Sequence, residues 1–237
     1  MPPKFLTIAA KELAASFKSP IAAIVLIITI TTFNIFFFVI IDQNQEATLR
    51  DIFKLMEFMF VFIVPLFTMK MFAEEKRAGT MEFLMTCPVS KNAVVLGKYL
   101  GGLSFLTILI GLTTVYYFII GYFAQPDRLA AASGYLGIWL EGALFVAVGM
   151  LVSSWTKNQI IAAIGTYAVL FTLYFSIAFM KYFQNTTAEV IRHLSVWSHA
   201  ENLSAGLITS ADIVYYLSGI IFFILLTRLS IEDRLWK

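Results

Sequence analysis

"AEEKRAGTMEFLMTCPVSKNAVVLGKYLGG", residues 73–102, parts an apolar run that ends at Phe72 from one that begins at Leu103. Glu74, Glu75, Lys76 and Arg77 crowd its start, and Gly79 and Pro88 punctuate it. The rest of the chain is close to its inverse. Of 237 residues, 59% are hydrophobic, 16% aromatic and only 14% charged. A soluble domain holds about half apolar and about a quarter charged residues, so this composition selects a bilayer as solvent. The net charge of +2 is too small for nucleic acid, and no basic groove with interleaved aromatic residues is written in the chain. The single cysteine, Cys87, excludes an intrachain disulfide. The start MPPKFLTIAAKELAASFKSP does not read as a removed leader, because the first apolar run comes too late, is too long and has no small-residue cleavage site after it.

A helix needs about 20 apolar residues to cross ~30 Å of hydrocarbon. Six segments meet or approach that length: Ile21 to Ile41, Phe58 to Phe72, Leu103 to Phe123, Tyr135 to Trp155, Ile160 to Met180 and Ile213 to Leu229. The expected fold is therefore an all-α membrane bundle in one domain, residues 1–237. Lys and Arg collect on the cytoplasmic side of short loops. With the N-terminus inside, that side carries Lys4, Lys11, Lys18, Lys70, Lys76, Arg77, Lys91, Lys98, Lys157, Arg228, Arg234 and Lys237, against Arg50, Lys54, Arg128, Lys181 and Arg192 outside. This bias places both termini and residues 73–102 in the cytoplasm, and residues 181–212 outside.

Within residues 3–19, Lys4, Lys11 and Lys18 recur every seven residues and form one stripe of a helix, with Leu6, Leu13 and Phe17 roughly opposite and Ile8 out of place. This helix is expected to lie on the membrane surface with its lysines toward anionic head groups. Pro20 would break it from the first span.

Gly79 and Pro88 bound a helix of about two turns over Thr80 to Thr86. Met81, Leu84 and Met85 share one face of it, with Phe83 alongside, while Glu82 faces elsewhere. Ser90 is placed to cap a second helix that runs into the third span. The apolar face has two readings, a plug for another protein's groove or a surface that packs on the protein's own helices or on lipid.

The string EEKRAGTMEFLMTCPVS closely resembles the cytoplasmic loop of type-2 ABC exporter permeases. Its recurring marks stand here as Glu75, Arg77, Gly79, Thr80, Glu82 and Pro88. FKSPIA before the first span, VGMLVSSWTKNQIIAAI at the fourth and fifth, and SADIVYYLSGIIFFILLTRLSIEDRLW at the end extend the resemblance over nearly the whole chain. Within that superfamily, His199, Glu201, Gly206 and Ile208 before the last span resemble the gliding-motility branch. The resemblance implies a two-fold dimer with a second copy or a paralogue, and a coupling helix in the first cytoplasmic loop docked on an ABC ATPase subunit. It also implies residence in the cytoplasmic (inner) membrane, a re-entrant segment before span 6 and room for an auxiliary periplasmic or membrane protein. No Gly-x4-Gly-Lys-Ser/Thr occurs, and Tyr99 stands where LGKYLGG would need a metal-binding hydroxyl. No cofactor is expected in this chain, since ATP and Mg would be bound by the partner subunit.

Several other residues call for a reading. Glu141, about a turn and a half into the fourth span, either faces a cavity or partner or reaches outer water. His193 and His199, six residues apart, do not make a metal pattern and read as interfacial residues beside Trp197. Gly97 and Gly101 form a GxxxG that serves either a dimer or packing within one bundle. An intramembrane enzyme would need a nucleophile paired with a base, and none is recognisable. An ATP-driven force-transmitting or assembly protein of the same superfamily would share this sequence pattern.

Overall fold

The computed structural model describes residues 3–44, 48–81, 89–179, 182 and 186–233. Among these, the regular elements are helices: α1 (Lys4–Lys18), α2 (Pro20–Asn44), α3 (Arg50–Thr68), α4 (Lys70–Ala78), α5 (Lys91–Thr113), α6 (Val115–Phe123), α7 (Arg128–Ser153), α8 (Gln159–Phe179), α9 (Thr186–Leu194), α10 (Val196–Ser204) and α11 (Ser210–Asp233). Six stretches among the described residues are long and apolar enough to cross a membrane, the second made of α3 with α4 and the third of α5 with α6. The all-α, six-span architecture read from the sequence is the one observed.

The helices outrun the apolar runs that announced them. Span 2 reaches from Arg50 to Ala78, where hydropathy marked only Phe58 to Phe72, because Arg50–Glu57 and Ala73–Ala78 are helical in spite of their charges. Span 4 begins at Arg128 instead of Tyr135. Asp127 caps it, its carboxylate accepting from the backbone N–H of Leu129 at 2.8 Å and of Ala130 at 3.3 Å.

Helix α7 is the axis of the bundle. Its apolar window is 89% buried, against 17% for span 6, and it meets spans 2, 3, 5 and 6 together with α4 and α10. Glycines make this crowding geometrically feasible: a Cβ at Gly134, Gly142 or Gly149 would strike Phe53, Leu106 or Thr68. Such close backbone approach replaces the hydrophobic drive that lipid does not supply between helices. Spans 1, 5 and 6 lie outside and expose apolar faces, among them Ile24, Ile28, Ile164, Phe222 and Leu225.

Several threonine hydroxyls inside the spans return to their own helix. Thr68, Thr166 and Thr227 donate to the carbonyl four residues back at 2.8–2.9 Å, so burial leaves them satisfied. Ser153 does otherwise. Its Oγ accepts from the N–H of Phe72 and of Ala73, each at 3.1 Å, and donates to the Met69 carbonyl at 2.9 Å. The bond that would close the helix from Ala73 N–H to Met69 C=O is thus bridged by a side chain from α7. Pro65, one turn earlier, has no N–H to give, and the α3–α4 junction falls at Met69.

Replacing Ser153 by Ala would orphan two buried backbone N–H groups and the Met69 carbonyl at this junction. We expect a loss of about 1–3 kcal/mol, read as a lower melting temperature of the detergent-solubilised protein.

Candidate functional site

Residues 73–81 and 89–102, the described parts of this stretch, lie at the end of the bundle where α4, the start of α5 and the ends of α7 and α11 meet. Ser154 Oγ donates to Ser230 Oγ at 3.0 Å, and Lys91 pairs with Glu232 at 3.6 Å. This is the basic end of the molecule, with Lys18, Lys70, Lys76, Lys91, Lys98 and Lys157 distributed over it.

Helix α4 stops where Gly79 takes φ 72°, a left-handed conformation open to glycine, and the Gly79 N–H returns to the Glu75 carbonyl. Thr80 and Met81 are again helical, and Thr80 Oγ1 donates to the same carbonyl at 3.4 Å. Met81 is half-buried and packs against the protein's own apolar core. Glu82, Phe83, Leu84, Met85 and Pro88 lie outside the described residues. Beyond them Ser90 caps α5 as its position predicts, accepting from the Ala93 N–H at 3.3 Å.

The charged residues of this stretch separate into two kinds. Glu75 is internal bracing: its Oε1 lies 2.9 Å from Lys98 Nζ, which also donates to Glu12 of α1 at 2.7 Å. Lys98 is 1% exposed and stands 5.2 Å above the Phe72 ring. A buried ammonium is tolerated only when paired, and here two carboxylates and an aromatic face surround it. Arg77 is exposed and has no partner among the described residues. Lys76 donates to the Ser154 carbonyl and adds a second tie to α7. Helix α4 is therefore clamped to α1, α5 and α7 at once, while Arg77 points away from the clamp.

Gly97 and Gly101 receive α1. A Cβ on Gly97 would stand 2.7 Å from Ile8 Cβ, and one on Gly101 2.5 Å from Glu12 Cβ. Between its two expected uses, the GxxxG thus serves packing within the chain. The same contact explains the residue that broke the expected stripe of α1. Leu6 and Phe17 are 46% and 48% exposed, whereas Ile8, which breaks the pattern, and Ala9 make the contact with α5.

Glu141 sits thirteen residues into α7, near its middle and not a turn and a half from the outside, because the helix starts earlier than its apolar run. It is 0% exposed, so the reading that it reaches outer water falls. Neither carboxylate oxygen has a hydrogen-bond partner among the described residues. Glu57 of α3, 6% exposed, is a second carboxylate buried in the bundle. Sequence reasoning passed over Glu57 because it precedes Phe58. Its spacing from Phe53, Phe60 and Val64, all buried, was the available signal.

At the opposite end of the bundle, α9 and α10 precede span 6. Leu203 of α10 packs where a Cβ on Gly137 would be, nine residues along α7 from Arg128, so α10 enters the bundle by roughly 14 Å. His199 is not the exposed interfacial residue its neighbour Trp197 suggested. It is buried, with Nδ1 2.6 Å from Asp212 Oδ1 and Nε2 3.2 Å from the His193 carbonyl, and it stacks on Tyr215. Thr209 and Asn202 donate to the same Asp212 carboxylate. No group of three or more potential metal ligands gathers among the described residues.

Residues 6–229 match the family model described as ABC-2 family transporter protein. The chain has no significant match among curated proteins.

Lys98→Met would strand Glu12 and Glu75 beside an apolar group and is expected to cost up to about 3 kcal/mol, since both carboxylates keep some access to water. Adding Glu12→Gln and Glu75→Gln should recover most of that loss. A thermal-melting series over the single and triple variants measures the difference.

Proposed function

The chain belongs to the ABC-2 transporter family, and on that premise we propose how this multi-pass permease subunit works. A separate ABC ATPase subunit, which binds ATP and Mg, docks on the cytoplasmic loop. ATP-driven closure of two such ATPases moves the loop, and the bundle rocks to export its substrate across the cytoplasmic membrane. The permease acts as a dimer with a second copy or a paralogue, with both termini and the basic end in the cytoplasm.

The observation that supports this reading is the clamp on α4. A docking loop transmits displacement only if it cannot swing independently of the spans. Here Glu75–Lys98–Glu12, Lys76–Ser154 and the Ser153 bridge join α4 to α5, α1 and α7. A push on the loop is therefore delivered to the central helix and not absorbed at a hinge. The energy comes from the difference in ATP affinity between the two states of the ATPase pair, and the clamp only conveys it. In this reading Glu82, Phe83, Leu84, Met85 and Pro88, with Gly79, Thr80 and Met81 leading into them, form the docking helix. Arg77 is a charge offered to the partner, and Glu75 braces from within.

The gliding-motility branch is the finer assignment we favour, on His199, Glu201, Gly206 and Ile208. Two of these have structural roles that suit a motif. His199 ties α10 to span 6 through Asp212, and Gly206 takes φ 91° beside Ala130.

Leu84→Asp tests the docking helix. The expected result is a permease that inserts and melts normally but no longer co-purifies with its ATPase from the native cell in mild detergent. Normal co-purification and transport by this variant would sink the proposal.

A further inference from the structure

At the basic end a cleft of about 510 Å³ opens between α1, the start of α2, the end of span 2 and α5. We infer that it holds the head group of one membrane phospholipid, a phosphate carrying a hydrogen-bond donor as in an ethanolamine lipid. This goes beyond coupling to an ATPase and does not depend on it.

Charge argues for the phosphate. Lys11 and Lys18 line the cleft, are exposed, and have no acidic partner among the described residues. Lys70, on the facing wall, donates to the Ser19 hydroxyl. The fourth lysine, Lys98, is already neutralised by Glu12 and Glu75. Three ammonium groups without a countercharge of their own thus converge from two sides on a space that a phosphate would fill.

The acidic wall argues for the donor. Glu74 lines the same cleft, exposed and without a partner among the described residues, and Glu75 Oε2 is buried with no hydrogen bond. A bare phosphate would leave both unanswered and would be repelled by them. An ammonium tethered two carbons from the phosphate meets the carboxylates while the phosphate meets the lysines.

Position and floor argue for a lipid and against a soluble phosphoester. Pro20 begins the first span, so Lys18, Ser19 and Lys70 stand at the level where hydrocarbon gives way to water. The cleft floor is apolar, made by Ala22, Leu66, Phe67 and Met71. Helix α2, which forms part of its wall, leaves Ile21, Ile24 and Ile28 exposed as a track for acyl chains. A water-soluble ligand would gain nothing from that surface.

The test is native mass spectrometry of the full chain in detergent, titrated with dioleoyl phosphatidylethanolamine or dioleoyl phosphatidylcholine, which lacks the donor. One ethanolamine lipid should be retained per chain in clear preference to the choline lipid. Lys11→Gln with Lys18→Gln should weaken that retention about tenfold or more, while Lys157→Gln, an exposed lysine elsewhere on the same end, should leave it unchanged. Equal retention of the two lipids, or indifference to the double variant, would mean an ordinary annular lipid and overturn the site. Displacement of the lipid by an equimolar amount of soluble phosphoethanolamine would also overturn it, because the cleft would then serve a soluble ligand.

Discussion

A single ammonium organises the basic end of this protein. Lys98 is carried into the packed interior on the first turns of α5, where an unpaired charge is prohibitive, and its partners come from two other elements. Glu12 arrives with α1 and Glu75 with α4, so satisfying one charge fixes the direction of both helices against α5. Phe72 of α4 offers its ring face to the same ammonium. Once α4 is held there, the turn at Met69 is no longer free, and Ser153 occupies the gap it leaves in the backbone ladder. Changes to any of these groups are therefore expected to be felt together and not additively.

The six spans were legible because hydropathy sums over about 20 residues, and no local detail can hide such a total. Their ends were not, because charge does not stop a helix whose side chains find partners or water. Arg50–Glu57 and Ala73–Ala78 remain helical, and this moved Glu57 into the bundle and Glu141 to mid-span. The family resemblance located the loop and its marks, and spacing alone located the Ser90 cap and the Gly79 turn. Neither could sort bracing from display. Glu75 and Arg77 stand two residues apart on one helix, and only the burial of Lys98, 23 residues further on, decides that one faces inward and the other out.

Long-range pairing was likewise beyond a pattern-based reading. His199 and Asp212 belong to different helices, and a histidine beside a tryptophan reads as interfacial until the chain is folded back. Ile8 is the most instructive case. It broke the amphipathic stripe of α1 because that stripe was drawn for one environment, whereas α1 has two: an exposed surface, and the glycine notch of α5.

That notch has a consequence for the order of events during synthesis. Chains emerge from the ribosome N-terminus first, so α1 is finished about 80 residues before Gly97 and Gly101 exist to receive it. A 15-residue helix is marginal by itself in water. Until the third span is inserted, α1 has only α2 beside it and lacks its main packing surface. Its lysine stripe suits that wait, as a temporary mooring that is later exchanged in part for protein. Assembly of the basic end is complete only when α1 has reached its seat on α5.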